Sequence, residues 1–151
     1  MEAVLPIKNL PIPPMLLELI REGLWEKIPL DNLRAIAPFL QEPLELLENL
    51  EEIRSAADNP GLLGSPVLGI RSSQRSGKAV RLPLLDYDHC LFIAVNKFPG
   101  DDIAIVLDYR GNHSNPRVVA SDFSSGSHCE WRVIANNFAA FVRQLTQDRQ
   151  D

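Results

Sequence analysis

The chain has 151 residues, 45% of them hydrophobic, and a formal net charge of −5 at pH 7. This length and composition are enough for one domain whose core is stable without disulfides or metal. The two cysteines, Cys90 and Cys129, do not form the C-x-x-C pairs of a zinc site or a disulfide framework.

The negative charge lies in the N-terminal part. Residues 1–66 contain 11 acidic and 5 basic side chains, whereas residues 67–151 contain 9 and 10. Such a surface repels nucleic-acid phosphates and steers basic partners toward the protein. The first residues lack the basic and apolar segments of a secretory signal, and no apolar run approaches the ~20 residues that span a bilayer. We therefore expect a cytoplasmic protein that contacts neither membrane nor nucleic acid.

The N-terminal part, about residues 13–57, has the pattern of three helices. Pro13-Pro14 can occupy a first helical turn, and apolar residues then recur at helical spacing. A second, shorter helix is predicted to begin at Asp31 and to end before Pro38. A third is predicted to begin at Pro43 and to bury one apolar stripe. The stripe of the first helix is Leu16, Ile20 and Leu24, and that of the third is Leu46, Leu47, Leu50, Ile53 and Ala57.

A run of glutamates lies on the other side of the third predicted helix. It can be a solvated helix face, because Glu is a good helix former and the first glutamates favour the positive end of the helix dipole. It can also be a docking face for a basic protein, since no Lys or Arg interrupts the run before Arg54. The run consists of Glu42, Glu45, Glu48, Glu51 and Glu52.

Residues 58–82 are polar and rich in Gly and Ser, which is typical of a loop. Gly77-Lys78 resembles part of a phosphate-binding loop. However, Ala79 follows it and no Gly lies five positions before Gly77, so the spacing does not fit. We predict a connecting loop with no nucleotide site. Within it, residues 67–70 are predicted to add an edge strand to the sheet.

Residues 83–148 have the pattern of an antiparallel sheet and a final helix. Residues 91–95 and 103–107 are short, β-branched apolar runs, and Pro99-Gly100 between them suits a reversing turn. Residues 116–120 and 129–133 repeat the pattern. Asn136 or Asn137 can then cap a helix, whose buried stripe is Ile134, Phe138, Phe141, Val142 and Leu145. The predicted fold is α+β, an antiparallel meander of about four to five strands packed by N-terminal helices and a C-terminal helix.

Several short motifs in this part resemble, in order and spacing, the SUKH superfamily. They are Gly100-Asp101-Asp102, Leu107-Asp108-Tyr109, Pro116-Arg117-Val118-Val119, Trp131, and Ala135 to Phe138 followed by Phe141. This superfamily groups fungal cell-wall-assembly regulators of the Smi and Knr type with bacterial immunity proteins. The resemblance implies a single SUKH-like domain over residues 1–151. It also implies a non-enzymatic intracellular protein that binds and neutralises a bacterial toxin, commonly a nuclease-like toxin with a basic groove.

Two other functions remain open at this point. One is a regulatory scaffold or interaction domain of the Smi/Knr type, and the other is a metal-dependent hydrolase. Neither His89-Cys90 nor His128-Cys129 can act as its own catalytic dyad, because neighbours on a strand point to opposite faces. We therefore predict no catalytic residue, cofactor or metal. The expected state is a monomer or weak dimer that binds a protein partner, a toxin in the favoured interpretation.

Two surfaces are candidates for binding that partner. The preferred one lies on the sheet side and consists of Asp86, Asp88, Asp101, Asp102, Asp108, Asp122, Glu130 and Trp131. The aspartates are also typical of turns, where they bond their own backbone, or of a metal or catalytic site. Trp131 can be a core residue or an interface hot spot. The alternative surface consists of Glu42, Glu45, Glu48 and Glu52.

Overall fold

A computed structural model describes residues 6–40, 43–58, 69–71, 73, 78–97, 103–124 and 129–146. The helices are α1 (Pro14–Arg21), α2 (Leu33–Ile36), α3 (Leu50–Ala57) and α4 (Phe138–Thr146). The strands are β1 (Leu44–Leu46), β2 (Ile70–Arg71), β3 (Leu85–Asp86), β4 (Cys90–Asn96), β5 (Ala104–Asp108), β6 (Arg117–Asp122) and β7 (Glu130–Ala135). Short 3-10 turns lie at Trp25–Lys27 and Tyr87–His89.

Five strands form one antiparallel sheet in the order β1-β4-β5-β6-β7. The four strands of the predicted meander are present, and β1 joins them at the edge beside β4. The two-residue strands β2 and β3 pair in parallel, apart from this sheet. The predicted α+β fold is therefore confirmed. Of the predicted edge strand at residues 67–70, Ile70 belongs to β2, whereas residues 67 and 68 lie outside the described residues.

The large sheet is buried on both faces. Leu91, Ile93 and Ile105 face the cluster that contains residues of α1, α3 and α4. Phe92 and Val106 face the opposite cluster, which β2 and β3 cover. Burial on both faces explains why β4 and β5 are continuous apolar runs without polar alternation. No helix within the described ranges is long and apolar enough to cross a membrane.

The first two helices are shorter than predicted. α1 ends at Arg21, and the chain then reverses at Gly23, whose φ of +70° favours glycine. Leu24 is therefore exposed instead of continuing the buried stripe. Trp25, in the 3-10 turn that follows, is fully buried and donates a 2.8 Å hydrogen bond from Nε1 to the carbonyl of Leu47. α2 is a single turn after Asn32.

The third predicted helix is wrong over residues 43–49, which is about two helical turns. Leu44 to Leu46 form β1, because the edge of β4 offers them backbone partners, and Leu44 pairs with Asn96. The helix begins only at Leu50. Asn49 caps it by accepting a 2.9 Å hydrogen bond from the Glu52 amide, while the Glu52 carboxylate accepts one of 3.1 Å from the Glu48 amide.

The C-terminal helix lies as predicted, except at its start. Asn137 is the capping residue, since its side chain accepts a 2.8 Å hydrogen bond from the Ala140 amide. Ile134 is buried but belongs to β7 instead of the helical stripe. Phe138 and Phe141 are buried against the sheet, with their ring centroids 6.4 Å apart.

Candidate binding surfaces

The Asp108 carboxylate lies at the end of β5, fully buried and held by two arginines. Arg110 donates from Nε to Oδ1 at 2.8 Å, and Arg117 donates from Nε to Oδ2 at 2.8 Å. Burial acts to raise the pKa of Asp108, but the hydrogen bonds from Arg110 and Arg117 outweigh it, and the pKa is lowered. Asp108 is therefore a buried anion that orients two cations, and its charge is not presented to a partner.

Asp86 is also buried, 2% exposed, at the end of β3. Its carboxylate lies 3.1 Å from Nδ1 of His89 and accepts a 3.0 Å hydrogen bond from the Asp88 amide. Asp88 in turn accepts a 2.9 Å hydrogen bond from the Ser73 hydroxyl. These contacts are those of aspartates that stabilise a turn, which was one of the alternatives that the sequence left open.

The remaining sheet-side candidates lie at the β6–β7 end. Asp122 is buried, accepts a 2.8 Å hydrogen bond from the Ser124 amide and pairs with Arg132. Glu130 lies 3.3 Å from the same arginine. Trp131 is 2% exposed and packs edge-to-face on Phe92, so it is a core residue here.

Asp108 and Asp122 are thus neutralised by arginines of the protein, and Asp86 is held by His89 and the Asp88 amide. Asp101 and Asp102 lie outside the described residues. No group of three or more potential metal ligands occurs in the described part of the chain. Burial raises the pKa of both Cys90 and Cys129 to about 12, so neither thiol is poised to ionise.

The glutamates of the alternative surface do come together. A hydrogen bond with Glu26 raises the pKa of Glu48, and the charges of Glu26, Glu52 and Glu45 raise it further. We call these four residues the acidic surface. Glu45, in β1, and Glu48 are exposed. Glu42 lies outside the described residues.

Glu26 was missed in the sequence, 19 positions before Glu45. The bond from Trp25 Nε1 to the Leu47 carbonyl holds the 3-10 turn against the end of β1 and so brings Glu26 to Glu48. A tryptophan next to a glutamate is too common a pattern to predict this contact.

Two further features accompany the acidic surface. β1 is an edge strand, and no described strand pairs with its outer side. Leu24, two residues before Glu26, is 45% exposed. Within the described ranges, no Lys or Arg forms an ion pair with any of the four glutamates. The surface therefore combines unneutralised charge, an open strand edge and an exposed apolar side chain.

Comparison of the chain with protein-family models, curated proteins and solved structures found no match to any of the three.

Proposed function

We propose that this protein binds a basic protein partner through the acidic surface, and that the partner is a toxin which the protein neutralises as an intracellular immunity protein. The observation that carries the proposal is the crowding of Glu26, Glu45, Glu48 and Glu52 without a cation, which raises the pKa of Glu48. No catalytic step is part of the proposal.

Crowded carboxylates repel one another, and this repulsion is relieved when a partner brings lysine or arginine side chains among them. This electrostatic attraction increases mainly the association rate, because exposed charges steer diffusion more than they hold a complex together. Leu24 supplies an apolar side chain at the margin of the same surface. Charge and apolar area together fit a protein partner better than a small cation.

The acidic surface is not the surface that the sequence favoured, which was the group of aspartates on the sheet side. Asp108 and Asp122 are buried and paired with arginines of the protein itself, and Asp86 is buried against His89 and the Asp88 amide, so these carboxylates are not available to a partner. Among the described candidates, Glu45, Glu48 and Glu52 form no ion pair with a Lys or Arg. That the partner is a toxin is proposed from the resemblance to the SUKH superfamily, and a toxin with a basic substrate groove would accept an acidic surface in place of a nucleic-acid phosphate.

Association rates at low salt test the proposal. The candidate partner to be assayed is the product of the neighbouring gene, purified as an inactive variant. Double charge reversal of Glu45 and Glu48 to Lys should slow association about tenfold and weaken its salt dependence, because steering is lost. The matched control reverses Glu18 and Asp31, which are exposed and do not contribute to the Glu48 pKa shift; it changes net charge equally and should have a much smaller effect.

Equal slowing by both double variants would mean that only net charge matters and that the acidic surface is not the interface. Tight binding of a partner that is not toxic to cells would favour the regulatory-scaffold function over immunity.

A further inference from the structure

A second site lies at the other end of the sheet. An open cleft of about 860 Å³ is bounded by the β5–β6 turn, the start of β4 and residues 79–82. Three arginines and two histidines line it, namely Arg81, Arg110, Arg117, His89 and His113. We propose that this cleft, which we call the arginine cleft, binds a small phosphorylated molecule through its guanidinium groups.

Arg110 is fixed by the protein. Its Nε and Nη2 bond the two oxygens of Asp108 at 2.8 and 3.1 Å, and its Nη1 donates to the carbonyls of Val80 and Leu84 at 2.8 and 3.0 Å. This guanidinium therefore ties the 80–84 segment to the end of β5. It defines the wall of the cleft, with few donors left for a ligand.

Arg117 is anchored differently. It bonds Asp108 through Nε alone, at 2.8 Å, and its terminal nitrogens have no other partner among the described residues. One end of the guanidinium is thus held by a buried carboxylate while the other end keeps its donors. Such a group is already oriented to bind an oxyanion and loses little freedom when it does so.

The other basic side chains of the cleft are less constrained. Arg81 is exposed and its guanidinium has no described contact. His89 is held at Nδ1 by Asp86, 3.1 Å away, which leaves Nε2 without a described partner. Of the nearby carboxylates, Asp86 is held by His89 and the Asp88 amide, and Asp108 is held by Arg110 and Arg117. The donors that remain exceed what one carboxylate accepts and suit the three terminal oxygens of a phosphate monoester.

The cleft is larger than a phosphate ion. Its volume of about 860 Å³ lies within the range of small-molecule sites. Ala79, Val80 and Leu82 add apolar wall beside the arginines. The ligand class is therefore a phosphate joined to a compact apolar or aromatic group.

The arginine cleft is separate from the acidic surface. His89, in the cleft, directly precedes the first residue of β4, whereas β1 pairs with the last residues of β4, Ala94 to Asn96. Along an extended strand these positions are roughly 15–20 Å apart. Binding at one site thus leaves the other free, and the two proposals can fail independently.

Amide NMR at constant ionic strength tests the cleft, with phenyl phosphate, inorganic phosphate and benzoate as probes. Phenyl phosphate should bind most tightly and shift the amides of Arg110, Gly111 and Arg117 in a saturable way. Arg117→Ala should weaken it about tenfold and Arg81→Ala about fivefold, as expected for lost charged hydrogen bonds. Arg143→Ala, which removes an exposed arginine of α4, should leave the affinity unchanged.

Because Arg117→Ala also removes a partner of Asp108, its fold is checked by thermal unfolding, and Arg81→Ala decides the question if that variant is unfolded. Shifts that do not saturate, or that spread over the surface without centring on the cleft, would overturn the proposal. If Arg117→Ala does not fold, an affinity for phenyl phosphate that is unchanged in Arg81→Ala would also overturn the proposal. Tighter binding of benzoate than of phenyl phosphate would overturn the choice of phosphate.

Discussion

Replacement of Asp108 by Asn should destabilise the protein strongly, because it leaves two arginines facing a neutral group in a buried site. Removing one partner of a buried ion pair typically costs 3–5 kcal/mol. Arg110 is 14% exposed and carries most of this effect, whereas Arg117 is 34% exposed and its share is reduced by solvent screening. We expect a loss of about 3 kcal/mol in the free energy of unfolding at pH 7.

Urea unfolding of the wild type and Asp108→Asn at several pH values measures this loss. Folding lowers the pKa of Asp108, so its contribution is fully present above the ordinary pKa of about 4 and disappears as pH falls through the lowered value. The difference between the two proteins should therefore shrink in acid. Asp31→Asn, at an exposed site, is the control and should change stability by less than about 0.5 kcal/mol. A loss below about 1 kcal/mol at pH 7 would refute the role given to Asp108.

Three other predictions concern the core. Phe138→Ala or Phe141→Ala should lower the free energy of unfolding by about 3–5 kcal/mol in urea melts, and less than about 1 kcal/mol at both would mean that α4 is not docked. Gly69→Ala should lower the free energy of unfolding by about 1–3 kcal/mol, because the φ of residue 69 is +64° and the new Cβ would lie 3.1 Å from the Cys129 carbonyl oxygen. An unchanged free energy of unfolding would contradict that close approach. Cys90 and Cys129 should react with Ellman's reagent only upon unfolding, since both are buried with pKa values of about 12, and fast labelling of the native protein would disprove their burial.

The sheet could be predicted because its strands carry unusually strong local signals. β4 and β5 are β-branched apolar runs, and α4 has an Asn cap and a regular apolar stripe. What the sequence could not reveal was which elements cover the second face of the sheet. That cover comes from β2 and β3, which are two residues each and have no detectable pattern.

Residues 43–49 were wrongly predicted to be helical because local helical spacing competes there with pairing to the sheet. The leucines of this segment have helical spacing, but the free edge of β4 pairs with three of its residues, and this long-range contact is invisible locally. Glu45 and Glu48 were expected to face solvent from a helix. Both do face solvent, but Glu45 lies in β1 and Glu48 lies two residues after it.

The candidate sites depend even more on tertiary contacts. The aspartates were recognised as a group, but the pairing of Asp108 with Arg117 and of Asp122 with Arg132 follows from the register of β5, β6 and β7. Sequence spacing alone does not give that register. As a result the sheet side was expected to be acidic, whereas the described cleft there is lined by arginines.

Growth of cells that co-express the neighbouring gene with this one tests the central claim most directly. We predict that the neighbouring product alone stops growth and that the wild-type protein restores it. The Glu18 and Asp31 double reversal to Lys should restore growth too, and the Glu45 and Glu48 double reversal should not, although both variants fold. Equal rescue by the two variants would contradict the acidic surface as the interface, and absence of rescue by the wild type from a toxic neighbour would contradict the immunity function itself.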